Sequence, residues 1–414
     1  MAPMSAEPTI DPSLFDETRY ARDLIERIVH ECPRRVATGP DERRAHAIIR
    51  DEFTALGIST ELHAFTWNQS LYQNLALHFG AAFAGSLIAS RAPLLAFGLH
   101  ALAAGSYAAD SARSAFVLRK LFPFGESQNV LARIPARGGG EPRLRVVFLA
   151  HTDAAYTGVM FRPEFLERFV TKETSPLYKS LRVTTGAVLG LALLDLAELA
   201  GLRSRPVSLL RAVLSIPPLL GFALNLDVVL RDHIVPGAAD DLSGIAGLLL
   251  LARRLRGRVP DDIEVIFCAT GCEEAGLGGA HCLARDKASE WERSRTVVIG
   301  LDGLANGSLA WFQEGEIFPL PIAPWLREVL RDTAASDARF ADVRGFEIPV
   351  GGTDAVPFSA AGYDAVTLGC VDRSRGVPRH YHVPSDTPEN LEVESIAPCV
   401  DFAERLFNTV LARR

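Results

Sequence analysis

Histidine and acidic residues recur at short, defined spacings in five segments of this chain: 151–153, 236–244, 272–277, 300–302 and 381–387. Zn²⁺ binds imidazole nitrogen and carboxylate oxygen, and a catalytic zinc keeps one position open for water or substrate. Together the segments can close two adjacent zinc sites with one glutamate to spare, which predicts a hydrolase with two zinc ions per chain. The candidate metal ligands, in chain order, are His151, Asp240, Glu274, Asp302 and His382.

Three of these groups stand directly after apolar runs that are typical of strands. Open α/β sheets bind their ligands at the edge where the carboxyl ends of the strands meet. We therefore expect the groups to lie close together in the folded chain. They are His151 with Asp153 after 146–150, Glu273 with Glu274 after 263–270, and Asp302 after 296–301.

Each group also has a purely structural interpretation. A pair such as Glu273-Glu274 is usually a solvated helix face, and a His-x-Asp pair after a strand can be a hydrogen-bonded core pair. The glycines of 236–244 can mark a turn into the next helix, with Asp240 or Asp241 as its N-cap. The groups occur together and in order, and this joint pattern favours the metal site.

Helix and strand patterns alternate along the chain outside two apolar stretches. Apolar residues recur at helical spacing in 16–30, 41–56, 242–255 and 322–334. Strand patterns occupy 58–66, 129–134, 144–149, 263–269, 296–301 and 364–368. Strands separated by helices predict an α/β fold with a mixed, mostly parallel sheet flanked by helices. We expect one catalytic domain, 16–414, with two insertions.

The composition is that of a folded protein without a basic surface for polyanions. The chain has 414 residues, of which 48% are hydrophobic and 22% charged, and a formal net charge of −7. No nucleic-acid partner is expected. The six cysteines show no repeated spacing, so we expect no disulfide framework and a reducing compartment. The first 15 residues lack an apolar segment behind a basic start, and no cleavable signal peptide is expected.

The two expected insertions, 69–122 and 159–230, contain apolar runs but none of the candidate metal ligands. The runs 71–90 and 92–109 are separated only by Arg91. They are borderline for spanning a membrane, which takes roughly 20 apolar residues. The other runs are 183–194 and 212–226, and 183–194 is too short to span unless its helix continues through Asp195 and Glu198.

Two interpretations of these insertions remain open. The first is a pair of apolar helical hairpins in a membrane, with all catalytic segments on one side of it. The second is a soluble four-helix lid or dimerisation lobe, which leaves the protein soluble and cytoplasmic. Basic residues favour a cytoplasmic catalytic face in the first case. Arg113, Arg119, Lys120, Lys172, Lys179, Arg182 and Arg231 lie on the catalytic side, against Arg91, Arg203, Arg205 and Arg211 near the hairpin tips.

With these motifs the chain resembles the clan MH zinc aminopeptidases, the family of bacterial leucyl aminopeptidase, aminopeptidase Y, glutamate carboxypeptidase II and the glutaminyl cyclases. The resemblance extends over 22–66, 128–158 and 231–391, which is about the whole chain outside the apolar insertions. It implies a zinc-dependent exopeptidase, most simply an aminopeptidase, that acts on a peptide or aminoacyl substrate.

The resemblance also implies a role for each motif residue. The family's spacing to Asp386-Thr387 selects His382 over His380 as the metal ligand, and His233 lies outside every motif. Val383 stands where the family usually has threonine. Residues 351–354 resemble the family's Ser-Asp-His segment, whose histidine is replaced here by Ala355. By resemblance, His151 and Asp302 bind the first zinc, Asp153 orients the cluster, Asp240 bridges both zinc ions, Glu273 is the general base, and Glu274 and His382 are further ligands.

Two other functions compete with peptide hydrolysis. Glutaminyl cyclases perform acyl transfer at a related site with a single zinc, and the ligand set alone does not exclude this reaction. A non-catalytic, receptor-like relative would be marked by lost metal ligands, and none is missing here. The sequence leaves the preferred side chain, the choice between amino and carboxyl ends, and the oligomeric state open.

Overall fold

The computed structural model describes residues 15–137, 140–170, 178–315 and 317–414, and within these ranges eight strands form one sheet. Four strand pairs are parallel and three are antiparallel, so the predicted mixed, mostly parallel sheet is confirmed. The strands are β1 Ser59–Trp67, β2 Gly125–Ile134, β3 Leu144–His151, β4 Ile263–Thr270, β5 Thr296–Leu301, β6 Ser308–Gln313, β7 Arg344–Glu347 and β8 Asp364–Val371. Their order across the sheet is β1-β2-β4-β3-β5-β8-β6-β7.

The central strands β3 and β4 are buried along their whole length. Their near-continuous apolar sequences are those of parallel strands covered on both faces. The parallel register pairs His151 with Thr270, and β5 runs parallel on the other side of β3. The carboxyl ends of three strands therefore meet at one edge, as the sequence predicts.

Helices cover both faces of the sheet. The cluster of buried side chains from α1, α2, α9, α11 and α13 lies on one face, and α10 and α12 pack on the other. These helices are α1 Glu17–Glu31, α2 Pro40–Ala55, α9 Leu242–Leu255, α10 Gly278–Asp286, α11 Pro324–Ala335, α12 Ala355–Ala360 and α13 Ile396–Arg413. The ends of the four predicted helices agree with the structure to within two residues.

The two apolar insertions fold into helices that pack against each other, and we call this group the helical lobe. Helix α3 packs on α4 and α8, and α4 packs on α6. Residues 171–177, which include Lys172, lie outside the described part of the second insertion. The lobe consists of α3 Leu71–Ile88, α4 Pro93–Ser111, α6 Ser180–Leu199, α7 Arg205–Leu214 and α8 Ile216–Arg231, with the short helix α5 Pro163–Phe169 between it and the sheet.

Glycines allow α3 and α8 to approach closely. A Cβ at Gly221 would lie 2.6 Å from the ring of Phe79, and a Cβ at Gly80 would lie 2.9 Å from the ring of Phe222. Each glycine thus makes room for an aromatic side chain of the opposite helix. The prolines of 217–218 lie in the first turn of α8, where proline needs no backbone hydrogen bond.

A buried polar cluster joins the lobe helices. His100 Nδ1 lies 2.5 Å from Asp195 Oδ2, and its Nε2 lies 3.2 Å from Ser86 Oγ. Arg211 Nη1 donates to Asp195 Oδ1 over 2.7 Å, and the same arginine pairs with Glu198. Helix α6 therefore continues through Asp195 and Glu198, because both acids have partners inside the lobe.

Two helical segments of the described chain are long and apolar enough to cross a membrane. The first is α6, Ser180–Leu199, with a mean hydropathy of 1.4. The second is Arg205–Arg231, which comprises α7 and α8 and has a mean hydropathy of 1.8. Both belong to the second insertion, whereas the sequence placed the longer apolar runs in the first. Only 17% of the apolar window in Arg205–Arg231 is buried. Large apolar side chains are exposed on the outer side of the lobe. Among them are Leu94, Leu95, Leu189, Leu193, Leu196, Leu209, Val213, Ile216 and Leu219.

Candidate metal centre and active site

His151 is the last residue of β3 and points one ring nitrogen at a carboxylate. Its Nδ1 lies 3.1 Å from the backbone oxygen of Asp153, and its Nε2 lies 3.1 Å from Asp240 Oδ1. A hydrogen bond from Nδ1 to a carbonyl fixes the tautomer and leaves Nε2 free to bind a metal. The side chain is almost fully buried, so its orientation is set by the fold.

Asp240 faces two histidines with its two carboxylate oxygens. Oδ1 lies 3.1 Å from His151 Nε2, and Oδ2 lies 3.1 Å from His382 Nε2. Burial opposes ionisation of this carboxyl group, but hydrogen bonds with His151 and His382 hold its pKa below the ordinary value. The carboxylate is placed to share its charge between two neighbouring positions.

Glu274 lies beside Asp240 and His382, and the ligand atoms of His151, Asp240 and Glu274 all lie within 4.8 Å of one another. His382 Nε2 lies 3.2 Å from Glu274 Oε1 as well as near Asp240. The His382 ring is held between aromatic neighbours, with Tyr381 stacked at 3.9 Å and Phe161 at 4.6 Å between ring centroids. Burial lowers the pKa of His382, yet Glu274 and Asp240 outweigh this and raise it to about 10.

The carboxylate of Asp153 binds the backbone amides of the Glu-Glu doublet, Glu273 and Glu274. Its Oδ1 accepts from the Glu273 amide and its Oδ2 from the Glu274 amide, each over 3.0 Å. Both carboxylate oxygens are therefore used, and Asp153 positions the doublet. The Glu273 side chain ends 3.9 Å from His151 Nε2, and burial raises the pKa of this carboxyl group well above its ordinary value.

Asp302 follows β5 and lies beside Asp241. The ligand atoms of His151, Asp241 and Asp302 all lie within 4.8 Å of one another. Asp241, however, accepts from the backbone amides of Gly244 and Gly303 with one oxygen and of His151 with the other. Asp241 is thus the N-cap of α9 and supports the backbone, which leaves Asp302 as the carboxylate available beside His151.

The donor set fits zinc. Two imidazoles and the carboxylates of Asp240 and Glu274 are buried together, Asp302 beside them is half-buried, and desolvation and mutual repulsion raise the pKa of Glu274 and Asp302. Glu274 Oε1 is buried and accepts no well-aligned hydrogen bond within the described residues, although His382 Nε2 lies 3.2 Å away. A divalent cation would satisfy this oxygen and offset the repulsion, and nitrogen with carboxylate oxygen is a common zinc ligand set.

Three buried residues bind the backbone of the loops that carry the candidate ligands. The motifs assign none of the three a role in the site. Arg35 donates from Nε to the Thr152 oxygen over 3.0 Å and from Nη2 to the Pro236 oxygen over 2.7 Å. Asp386 accepts from the amides of Ala239 over 2.7 Å and Asp240 over 3.2 Å. Glu42 accepts from the Cys272 amide over 2.8 Å, and burial raises its pKa to about 8.

The loop after the doublet is held by residues next to or inside the first insertion. Trp67 Nε1 and Arg119 Nη1 donate to the Ala275 oxygen over 3.0 and 2.9 Å, and Arg113 donates to the Gly276 oxygen. Arg119 is fully buried and forms an ion pair with Asp110 at the end of α4. The first insertion therefore supports the site, although it contains no candidate ligand.

The two histidines set aside by the spacing argument have other surroundings. His380 Nδ1 pairs with Ser385 Oγ over 2.8 Å, and His233 is exposed. Ala355 begins α12 and is fully buried. Asp354 accepts a hydrogen bond from Thr270, and burial raises its pKa to about 6.

A cavity of about 260 Å³ opens over the cluster. Asp240, Glu273, Glu274, Asp302 and His382 lie at one end of it. Side chains of the helical lobe line the rest, so the cluster is reached through a space that the insertions help to form.

Residues 226–406 match the model of Peptidase family M28. This segment contains the last four candidate ligands and Glu273, and it excludes His151 and Asp153. The sequence is 31% identical over 173 residues to Aminopeptidase YwaD of Bacillus subtilis strain 168, an alignment that covers 40% of this chain and 36% of that protein. The chain spans about a third of the length of the curated relatives it matches.

Solved structures share the fold over nearly the whole chain. BSAP, a zinc aminopeptidase from Bacillus subtilis, aligns with a TM-score of 0.55 and 16% identity over 94% of both chains. Porphyromonas gingivalis glutaminyl cyclase aligns with a TM-score of 0.55 and 12% identity over 95% of this chain and 98% of that one. At these identities the similarity establishes the fold, and the predicted zinc aminopeptidase-like architecture is confirmed.

Proposed function

Because residues 226–406 match the model of Peptidase family M28 and the fold is the one predicted from the motifs, we propose that the chain is a zinc-dependent exopeptidase of clan MH and, more specifically, an aminopeptidase. The proposed catalytic domain is 16–414, interrupted by 69–122 and 159–230. Its proposed metal ligands are His151, Asp240, Glu274, Asp302 and His382, and it binds two zinc ions per chain.

One observation carries this proposal. The two oxygens of Asp240 each lie 3.1 Å from the Nε2 of a different histidine. A carboxylate in this position can bridge two metal ions, with His151 and Asp302 on one side and Glu274 and His382 on the other. A pair of such ions is the arrangement that hydrolases use to bind an attacking water and the scissile carbonyl together.

Glu273 is the proposed general base. Its amide is fixed by Asp153, its side chain lines the cavity, and it is not needed to complete either group of ligands. Bound zinc would lower the pKa of a water and polarise the scissile carbonyl. Glu273 then accepts the proton of the attacking water at a carboxylate oxygen and passes it to the nitrogen of the leaving amine.

The charge of the cavity supports a substrate with a free amino group. The acidic side chains that line it are Asp240, Glu273, Glu274 and Asp302, and no lysine or arginine is present among the described residues of its lining. An ammonium group is attracted to such a site, whereas a substrate carboxylate would meet no positive side chain. This difference favours removal of amino-terminal residues over carboxyl-terminal ones.

Acyl transfer of the glutaminyl cyclase kind is the second candidate, because those enzymes share the fold. The position of Asp240 between two histidines favours two metal ions over the single zinc of that reaction. A non-catalytic receptor-like role has less support, since no residue of the proposed ligand set is missing from the sequence.

The decisive experiment combines metal analysis with a substrate panel on the same purified protein. We expect about two zinc ions per chain and hydrolysis of leucine p-nitroanilide that chelation abolishes and zinc restores. N-acetyl-leucine p-nitroanilide is the matched control and should resist hydrolysis. Cyclisation of an N-terminal glutaminyl peptide without hydrolysis would establish the second candidate, and a folded protein that holds no zinc under metal-replete conditions would contradict both.

We further propose that the helical lobe associates with a membrane and that the catalytic domain faces the cytoplasm. The support is the exposed leucine-rich outer side of α6 and α7 and the length of Arg205–Arg231, roughly 40 Å as a helix. The sequence has more basic residues on the catalytic side of the insertions than at the hairpin tips, where Arg91 and Arg203 are exposed, and this excess favours the cytoplasmic orientation.

Membrane association is tested by fractionation of the full-length protein. We expect it to sediment with membranes, to resist carbonate extraction and to require detergent. Recovery in the soluble fraction as a monodisperse species without detergent would contradict the proposal and favour a soluble lid or a dimerisation lobe.

A further inference from the structure

The cavity above the metal centre is chemically divided. One end presents the acidic metal-site residues, and the other end is walled by large apolar side chains of α3 and α8, among them Leu75, Phe79, Leu220 and Leu224. A dry apolar space of this kind does not hold water well, because water needs polar partners. The space is therefore suited to an apolar part of a ligand whose polar part reaches the metal centre.

The apolar walls come from elements outside the matched family segment. That segment begins at residue 226, whereas α3, α5, α6 and most of α8 precede it. Leu71, Leu75 and Phe79 of α3 form one apolar cluster with Leu181 of α6 and Phe222 of α8. The insertions thus supply much of the apolar wall of the cavity.

We propose that the substrate is an amphiphilic amide, in which a free amine and the scissile bond bind at the candidate metal centre and a long linear apolar chain lies in the cavity along the wall that α3 and α8 form. This inference rests on the proposed function, since it assigns the substrate class of the same site. The chain can belong to the amino-terminal residue or to the leaving amine, and both share the chemistry that the apolar wall recognises.

Two substrate series distinguish these sources. In one, the amino-terminal residue of a p-nitroanilide is varied from alanine to 2-aminohexanoic, 2-aminooctanoic and 2-aminodecanoic acid. In the other, leucine is joined to methylamine, butylamine, octylamine or decylamine. We expect kcat/KM to rise about fourfold for each added methylene in one series until the cavity is filled, from the hydrophobic gain per buried methylene.

Variants of the wall connect this preference to the cavity. Leu224→Trp should reduce kcat/KM for the longest substrate by roughly tenfold or more while leaving the shortest unchanged, because the indole occupies space that only the long chain needs. Leu224→Ala should move the optimum to a longer chain. Leu193→Trp is the matched control, since Leu193 is 67% exposed on α6 and outside the cavity.

The outcomes separate this inference from the proposed function. If the enzyme hydrolyses short substrates but kcat/KM stays constant or falls as the chain lengthens in both series, the substrate inference is wrong. The proposed function is not affected by that result. The same holds if Leu224→Trp affects short and long substrates equally. Folded, zinc-loaded enzyme that cleaves no member of either series would contradict the proposed function instead.

Discussion

The candidate metal centre and the helical lobe line the same cavity, but different interactions hold the residues of each region in place. Around the metal centre, carboxylates accept hydrogen bonds from backbone amides, as Asp153 does from the Glu-Glu doublet and Asp241 from the start of α9. In the lobe, helices pack through close contacts such as Gly221 against Phe79, with leucines left exposed outside.

This difference has a functional reason. A catalytic site needs its ligands fixed to within a fraction of an ångström, and backbone hydrogen bonds to charged groups provide that precision. Apolar packing is less directional and allows a wall to adapt to ligands of different length. We therefore expect substitutions at the centre to abolish chemistry and substitutions in the lobe to change stability or substrate range.

The largest effect on activity should come from Asp240→Asn. The amide has the shape of the carboxylate but not its charge, so both metal positions lose a shared anionic ligand. We expect zinc content measured on the purified protein to fall at both positions and hydrolysis to fall to background. Asp232→Asn is the control, because Asp232 forms an exposed ion pair with Arg34 outside the cluster. Full zinc occupancy in Asp240→Asn would contradict the bridging role.

Glu273→Gln should separate metal binding from chemistry. The backbone amide of residue 273 keeps its hydrogen bond to Asp153, so the loop is retained and the zinc content should remain close to that of the wild type. Loss of the proton acceptor should reduce kcat by roughly 10²–10⁴. Parallel loss of zinc and activity would instead make Glu273 a metal ligand.

Local sequence motifs predicted the candidate cluster because most of its residues stand at the end of a strand or in a glycine-marked loop. His151 is the last residue of a buried parallel strand and Asp302 follows another, so the shared edge of the sheet brings them together. Continuous apolar runs predicted the central strands, whereas β6 and the four-residue edge strand β7 were not predicted.

The supporting residues could not be predicted in the same way. Arg35 binds the oxygen of Thr152, 117 residues away, and Glu42 binds the amide of Cys272, 230 residues away. Their partners are backbone groups, which have no residue type that a sequence pattern could reveal. For the same reason, the sequence did not indicate that the first insertion, through Arg119, holds the loop after the doublet.

Asp153→Asn should have an intermediate effect, because Asp153 acts through the residues it positions. The amide replaces one carboxylate oxygen with a donor, which cannot accept from the second backbone N–H of the doublet. We expect zinc affinity, measured by competition with a chelator, and kcat each to fall by roughly 10- to 100-fold. Asp153→Glu offers a partial rescue, since it restores the charge. Unchanged zinc affinity and kcat in Asp153→Asn would show that the doublet holds its position without this carboxylate.

The smallest effect on chemistry should come from the polar cluster of the lobe. Asp195→Leu removes the shared partner of His100 and Arg211, and removing one member of a buried pair costs about 3 kcal/mol or more of stability. We expect a lower thermal unfolding temperature but unchanged hydrolysis of a short substrate per folded molecule. The double variant His100→Leu/Asp195→Leu should be less destabilised than the sum of the single variants, because no unpaired imidazole then remains. A loss of short-substrate activity that exceeds the loss of folded protein would show instead that the lobe and the metal centre form one cooperative unit.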